Sequence, residues 1–246
     1  MKPLINHPQK GNTSFFYRIE TIRIDRSMPK KAYEKIWIRD VEIIYTGKEH
    51  GLYRYHLLCS NINFRADLSV PGITFLRRAA YLFDEIKISV TQNGEIIKIN
   101  NLAVLQKRWA CIQQELAGDN KGAAVDSFFY SISNSIADEG KLIEFLSGYK
   151  MYGLYFNGLW GNNILNKIYR RQKADYDLLQ GKFIEENCSA KLSDTETVFS
   201  LIADVEKEPV KQYEGQFIYN AERLTEGIVE IEHENDQIKY SILWVG

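Results

Sequence analysis

The stretch that decides the fold is Ile86–Leu116, IKISVTQNGEIIKINNLAVLQKRWACIQQEL. Ile86, Ile88 and Val90 alternate with polar neighbours, the period of one face of a β-strand. Asn93-Gly94 follows, the pair that suits a two-residue type I′ hairpin because both central positions need positive φ. Ile97 and Ile99 resume the alternation. Leu105, Trp109, Ile112 and Leu116 then recur at spacings of four, three and four, a helical period. A hairpin therefore leads into a helix whose apolar stripe has a sheet to cover.

Upstream, Phe15–Asp25 reads as a strand whose alternation slips near Glu20-Thr21-Ile22, as at a β-bulge. Ile36–Thr46 reads as a second strand with a change of parity near Arg39-Asp40, and Leu52–Cys59 as a third. Pro71-Gly72 breaks the pattern before a short helix carrying Phe75, Ala79, Leu82 and Phe83. Downstream, Val125, Phe128, Phe129, Ile132 and Ile136 form a second amphipathic stripe, and Leu142, Phe145, Leu146 and Tyr149 a third. Asn162–Gln180 is compatible with helix or strand. From Gly181 the strand pattern recurs over 183–192, 198–205, 216–224, 227–233 and 238–245, with turns predicted at 224–227 and 234–236. This order predicts an α+β fold: a large, mostly antiparallel sheet, its strands in the N- and C-terminal parts, covered by a central group of three to four helices. Residues 1–246 read as a single domain. Residues 1–13 form a loose arm, and 150–165 is the one place where a subdivision could fall.

The composition is that of an ordinary globular protein, 45% apolar and 26% charged with a net charge of −1,. No global basic field recruits nucleic acid. The charge is polarised: residues 1–50 carry ten Lys/Arg against six Asp/Glu, and residues 182–246 six against fourteen. Cys59, Cys111 and Cys188 are far apart, with no CxxC pair, so neither a disulfide framework nor a zinc site is expected. Cys59 and Cys111 are expected to be buried. The absence of a signal peptide and of a long apolar run predicts a cytoplasmic location and no membrane span.

The sequence shows no motif for nucleophilic catalysis or phosphate binding, and neither catalytic nor cofactor residues are assigned. His7, His50, His56 and His233 lack metal-ligand spacing, and Glu230, Glu232, Glu234 and Asp236 read as a solvated strand face. Two features remain. Met151–Trp160 carries Tyr152, Tyr155, Phe156 and Trp160 among glycines, a composition that suits a pocket or a contact surface, or else a segment crossing the core. Beside it lies a basic–aromatic cluster, Lys167, Tyr169, Arg170, Arg171, Lys173 and Tyr176. If that cluster is helical, Lys167, Arg170 and Arg171 share one side. Tyr152, Tyr155, Phe156, Trp160, Arg170 and Arg171 form the candidate binding patch.

In the order of its elements, a strand-rich body enclosing a few helices, the chain resembles bacterial carriers of apolar ligands. The residues themselves favour a non-enzymatic protein-binding or assembly component of a bacterial-type multiprotein system, with a protein partner. The alternatives are a carrier of an apolar small ligand between curved sheet and helices, and an enzyme of unrecognised type.

Overall fold

The computed structural model describes residues 7–8, 11–28, 31–66, 72–161, 167–175, 182–203 and 210–246. Among these residues, eleven antiparallel strands form one sheet: β1 (Thr13–Met28), β2 (Lys31–Glu49), β3 (Leu52–Ala66), β4 (Glu85–Val90), β5 (Ile96–Ile99), β6 (Tyr169–Asp175), β7 (Lys182–Leu192), β8 (Glu196–Ala203), β9 (Val210–Asn220), β10 (Arg223–His233) and β11 (Asp236–Trp244). Four α-helices accompany them: α1 (Ile73–Ala80), α2 (Leu102–Asp119), α3 (Ala123–Ala137) and α4 (Glu139–Ser147). No helix among the described residues is long and apolar enough to cross a membrane.

The strand order is β5-β4-β3-β2-β1-β11-β10-β9-β8-β7-β6. Two meanders meet at a central seam, where β1 pairs with β11 from Tyr17↔Trp244 to Asp25↔Asp236. The edges are therefore β5 and β6, the two strands that flank α2–α4 in the chain. A connection between opposite edges must cross one face of the sheet, and Met151–Trp160, which crosses it here, is buried throughout. The sheet curls around it. Flat strands from β3 to β9 would lie about 24 Å apart. Yet the Trp160 indole N–H donates to Tyr219 on β9 at 3.2 Å, and the same ring lies 6.3 Å from Tyr55 on β3.

The alternation sets the inner face. Tyr17, Ile19, Val41, Ile43, Tyr55, Leu57, Phe217, Tyr219, Tyr240 and Ile242 are all buried. The α2 stripe read from sequence is the buried one: Leu105, Trp109, Ile112 and Leu116. In α3, Phe129 and Ile136 are buried while Val125, Phe128 and Ile132 are half-buried.

Several local expectations are corrected. β1 holds unbroken register with β11 and β2 through Glu20–Ile22, so no bulge lies there. The slip arises because a polar Thr21 points inward and Ile22 outward. The irregularity near Arg39-Asp40 is real but belongs to β3: Asp40 faces Asn61 and Val41 faces Cys59, leaving Ser60 as the extra residue. β2 keeps one phase, with Trp37 and Arg39 on the inner side. The Asn93-Gly94 turn is wider than two residues. Gly94 N–H donates to Thr91 O at 3.0 Å and Thr91 N–H to Glu95 O at 2.9 Å, and only Gly94 has positive φ. The turn expected at 224–227 falls instead at Ala221-Glu222, and the irregularity at Thr225 lies within β10. Cys111 is exposed, because it follows Trp109 by two positions on α2 and so points away from the buried stripe.

Of the N-terminal arm, His7 is described and is 3% exposed. Its ring stacks on Tyr53 at 3.4 Å and meets the edge of Trp160 at 4.7 Å. Nε2 faces two carbonyls, Thr91 O at 3.0 Å and Gln92 O at 3.1 Å, so it carries the proton, and Nδ1 accepts from the Tyr55 hydroxyl at 2.9 Å. Burial lowers its pKa to about 4 from 6.5. The unfolded chain therefore binds this proton more readily than the folded one. The stability contributed by a neutral His7 is complete above pH 6.5 and is lost as pH falls toward 4. Urea unfolding at pH 7 and pH 4 should show wild type losing about 2 kcal/mol more than His7→Gln. Equal losses would refute the assignment.

Candidate functional site

Met151–Trp160 forms a series of tight turns rather than a strand. Met151, Tyr152, Leu154, Tyr155, Phe156, Leu159 and Trp160 are all at most 4% exposed. Tyr155 packs on Tyr17 at 5.2 Å and Phe156 on Tyr55 at 5.1 Å. The segment thus plugs the curl of the sheet, and four of the six patch residues lie in the interior. Glycine is needed at 153: a Cβ there would stand 2.0 Å from Ser147 O.

The basic cluster is a strand, β6, so adjacent arginines diverge. Arg170 points outward, its side chain 72% exposed, with Nε 3.8 Å from Glu185. Arg171 points inward to Glu186, directly across on β7, at 2.6 Å. Of Asn162–Gln180, only 167–175 fall within the described residues, and Tyr176 lies outside them.

Glu186 has no exposed surface. It accepts from Tyr149 at 2.7 Å and Tyr213 at 2.5 Å as well as from Arg171. Burial alone would push its carboxyl up, but Arg171, Lys173 and the two hydroxyls hold it below the usual range. Arg171 also donates to Asn157 O and, at 3.1 Å, to the Tyr149 oxygen. Lys173 donates to Ser147 O at 2.7 Å. Burial, with Arg171 beside it, lowers Lys173 to about 8. These contacts fasten the β6 edge to the turns of the plug, where no backbone ladder closes the sheet.

An open groove is the second candidate. A groove of about 200 Å³ runs between β2–β3 and the helices. Trp37, Ile62 and Phe64 form its sheet wall; Leu76, Ala80, Phe128, Ile132 and Phe145 form much of its helix wall. The Trp37 and Phe64 rings are 5.1 Å apart. Among the described residues, Arg39, Arg77 and Lys150 also line it and no acidic residue does. Lys150 Nζ sits 4.9 Å above the Trp37 ring, and Arg39 donates to Lys150 O at 3.1 Å.

None of these groove residues belongs to the sequence-derived patch. One signal pointed to them: Trp37 and Arg39 share the parity of Val41, Ile43 and Tyr45, which places a cation on an apolar face. Glu186 carries the same signal, in phase with Ile184, Cys188 and Ala190.

The carboxylates of β10–β11 sit beside cations: Glu230 with Lys239 at 2.9 Å, Glu232 with Lys211 at 3.6 Å, and Asp236 with Arg23 at 2.8 Å. Among the described residues, no group of three or more His, Cys, Asp or Glu is placed to hold a metal.

No family model and no curated protein matches this chain. Among solved structures it is similar to one titled "Lipid-protein interactions in lipovitellin", at 11% identity and a TM-score of 0.49. The match covers 97% of this chain and 26% of that one, so this chain spans about a quarter of that protein's length.

Proposed function

We propose that this protein binds an apolar small ligand in the groove between its sheet and its helices. The groove itself carries this reading: aromatic and aliphatic walls line a concavity of about 200 Å³ between the sheet and the helices. Concave apolar sites with a few polar groups are the usual form of a small-molecule site. The aromatic run that suggested a contact surface is interior, so it offers no ground for a protein partner.

Titration calorimetry with 1-decanol tests the reading. One molecule should bind per chain, and Ala80→Trp and Ile132→Trp, each placing a large ring in the groove, should each abolish binding while thermal unfolding stays cooperative. Native mass spectrometry of protein purified from cells should show a retained apolar mass. Failure of decyl compounds of every head group to bind, or binding indifferent to both substitutions, would overturn the reading.

A further inference from the structure

The rows of the inner face place the groove's polar groups together. Across β11, β1, β2 and β3, one row reads Tyr240, Thr21, Trp37, Phe64 and the next Ile242, Ile19, Arg39, Ile62. Arg39 is thus set among apolar neighbours, and it makes no ion pair among the described residues. Two described acids near it, Asp40 and Asp84, are committed elsewhere. Asp40 faces outward, to Arg18 at 2.8 Å and Asn61 at 2.9 Å, and Asp84 is held by Arg108.

Two buried hydroxyls in this region have no hydrogen-bond partner, Tyr152 OH and Thr21 Oγ1. Tyr152 is fully buried, and its hydroxyl feels the charge of Arg39. Thr21 is 2% exposed and lies directly across from Trp37. Buried polar groups in folded proteins are nearly always satisfied, and exceptions call for an explanation. A guanidinium at the groove wall with no ion pair among the described residues is what an anion's oxygens would complete; neither hydroxyl is itself among the residues lining the groove. The adjoining walls of Trp37, Phe64, Leu76 and Phe128 offer the same molecule only apolar surface.

We infer that the groove takes a single-chain amphiphile with an anionic head. The head meets Arg39 and Lys150, and the hydrocarbon chain lies between Trp37–Phe64 and the helices. Charge complementarity selects this occupant, since among the described residues every charged side chain lining the groove is a cation. Size selects one chain: about 200 Å³ is below the roughly 300–1,000 Å³ of drug-sized sites. The inference rests on the reading of the groove as a ligand site and adds the class of ligand.

Calorimetry with three ligands of equal chain length separates the two claims: decanoate, decyl phosphate and 1-decanol. The two anions should bind at least about tenfold more tightly than the alcohol, as charge-assisted hydrogen bonds to a half-buried site would give. Arg39→Met with Lys150→Met should bring decanoate to within about twofold of decanol, with cooperative unfolding retained. A stronger response to decanoate or to decyl phosphate identifies a carboxylate or a phosphate head, and either supports the inference. Equal affinity for decanol and the anions, or an anion preference that survives the double substitution, would overturn it while leaving the groove as a ligand site. Failure of all three to bind would overturn both.

Discussion

Replacing Glu186 with alanine should destabilise the protein by about 3–5 kcal/mol, the range for removing one partner of a buried ion pair. Three groups lose an acceptor at once: the Arg171 guanidinium, at 2.6 Å, and the Tyr149 and Tyr213 hydroxyls. Arg171 itself is only 12% exposed and cannot recover its hydration without tearing β6 from the plug. Glu186→Ala combined with Arg171→Met should recover a large part of the loss, because the uncompensated charge is then gone. Urea unfolding of wild type, both single variants and the double variant closes the cycle. A single variant losing under 1 kcal/mol would mean that the pair is hydrated in solution. Additive losses would mean that the two side chains are not coupled.

Trp109→Ala should cost a similar amount, about 3–5 kcal/mol, by opening a cavity where α2 meets α3. The indole is 3% exposed and packs on Phe129 at 5.8 Å and Phe128 at 6.5 Å. Its N–H donates to the half-buried Ser133 hydroxyl at 2.8 Å, a bond that the truncation removes. Trp109→Phe should lose less, since most of the ring volume is kept. Because Phe128 also lines the groove, loosening this contact should weaken decanol binding along with stability. Thermal unfolding and calorimetry on the same samples check both. A Trp109→Ala protein as stable as wild type would show that the helices do not depend on this contact.

The two residues illustrate how far sequence carries. Trp109 was legible, because its stripe recurs with a helical period and one face of α2 is enough to reveal it. The C-terminal strands were legible for the same reason, their alternation being a property of each strand alone. Glu186 was not. A carboxylate in an apolar phase is visible in the sequence, but its answering cation, Arg171, sits in a segment that could be read as helix or strand. As a helix, Arg170 and Arg171 would share a side; as a strand they part, one to solvent and one to the core. The hairpin at Asn93-Gly94 was legible as a hairpin, while its turn type depended on Asn93 keeping negative φ.

Periodicity and composition fixed what most elements are and which side they bury, β6 and the start of β2 excepted, since those depend on neighbours within a few residues. They established an antiparallel sheet with helices inserted between its two halves. Which residues meet was decided by tertiary structure, through the β1–β11 pairing that makes β5 and β6 the edges and sends the helical connection across the inner face. That crossing buries Tyr152, Tyr155, Phe156 and Trp160 in the plug and leaves Trp37, Arg39, Phe128 and Lys150 around the groove. Residues more than ninety positions apart along the chain share that groove, and no local pattern encodes such a meeting, because it follows from strand order and the path of the connection.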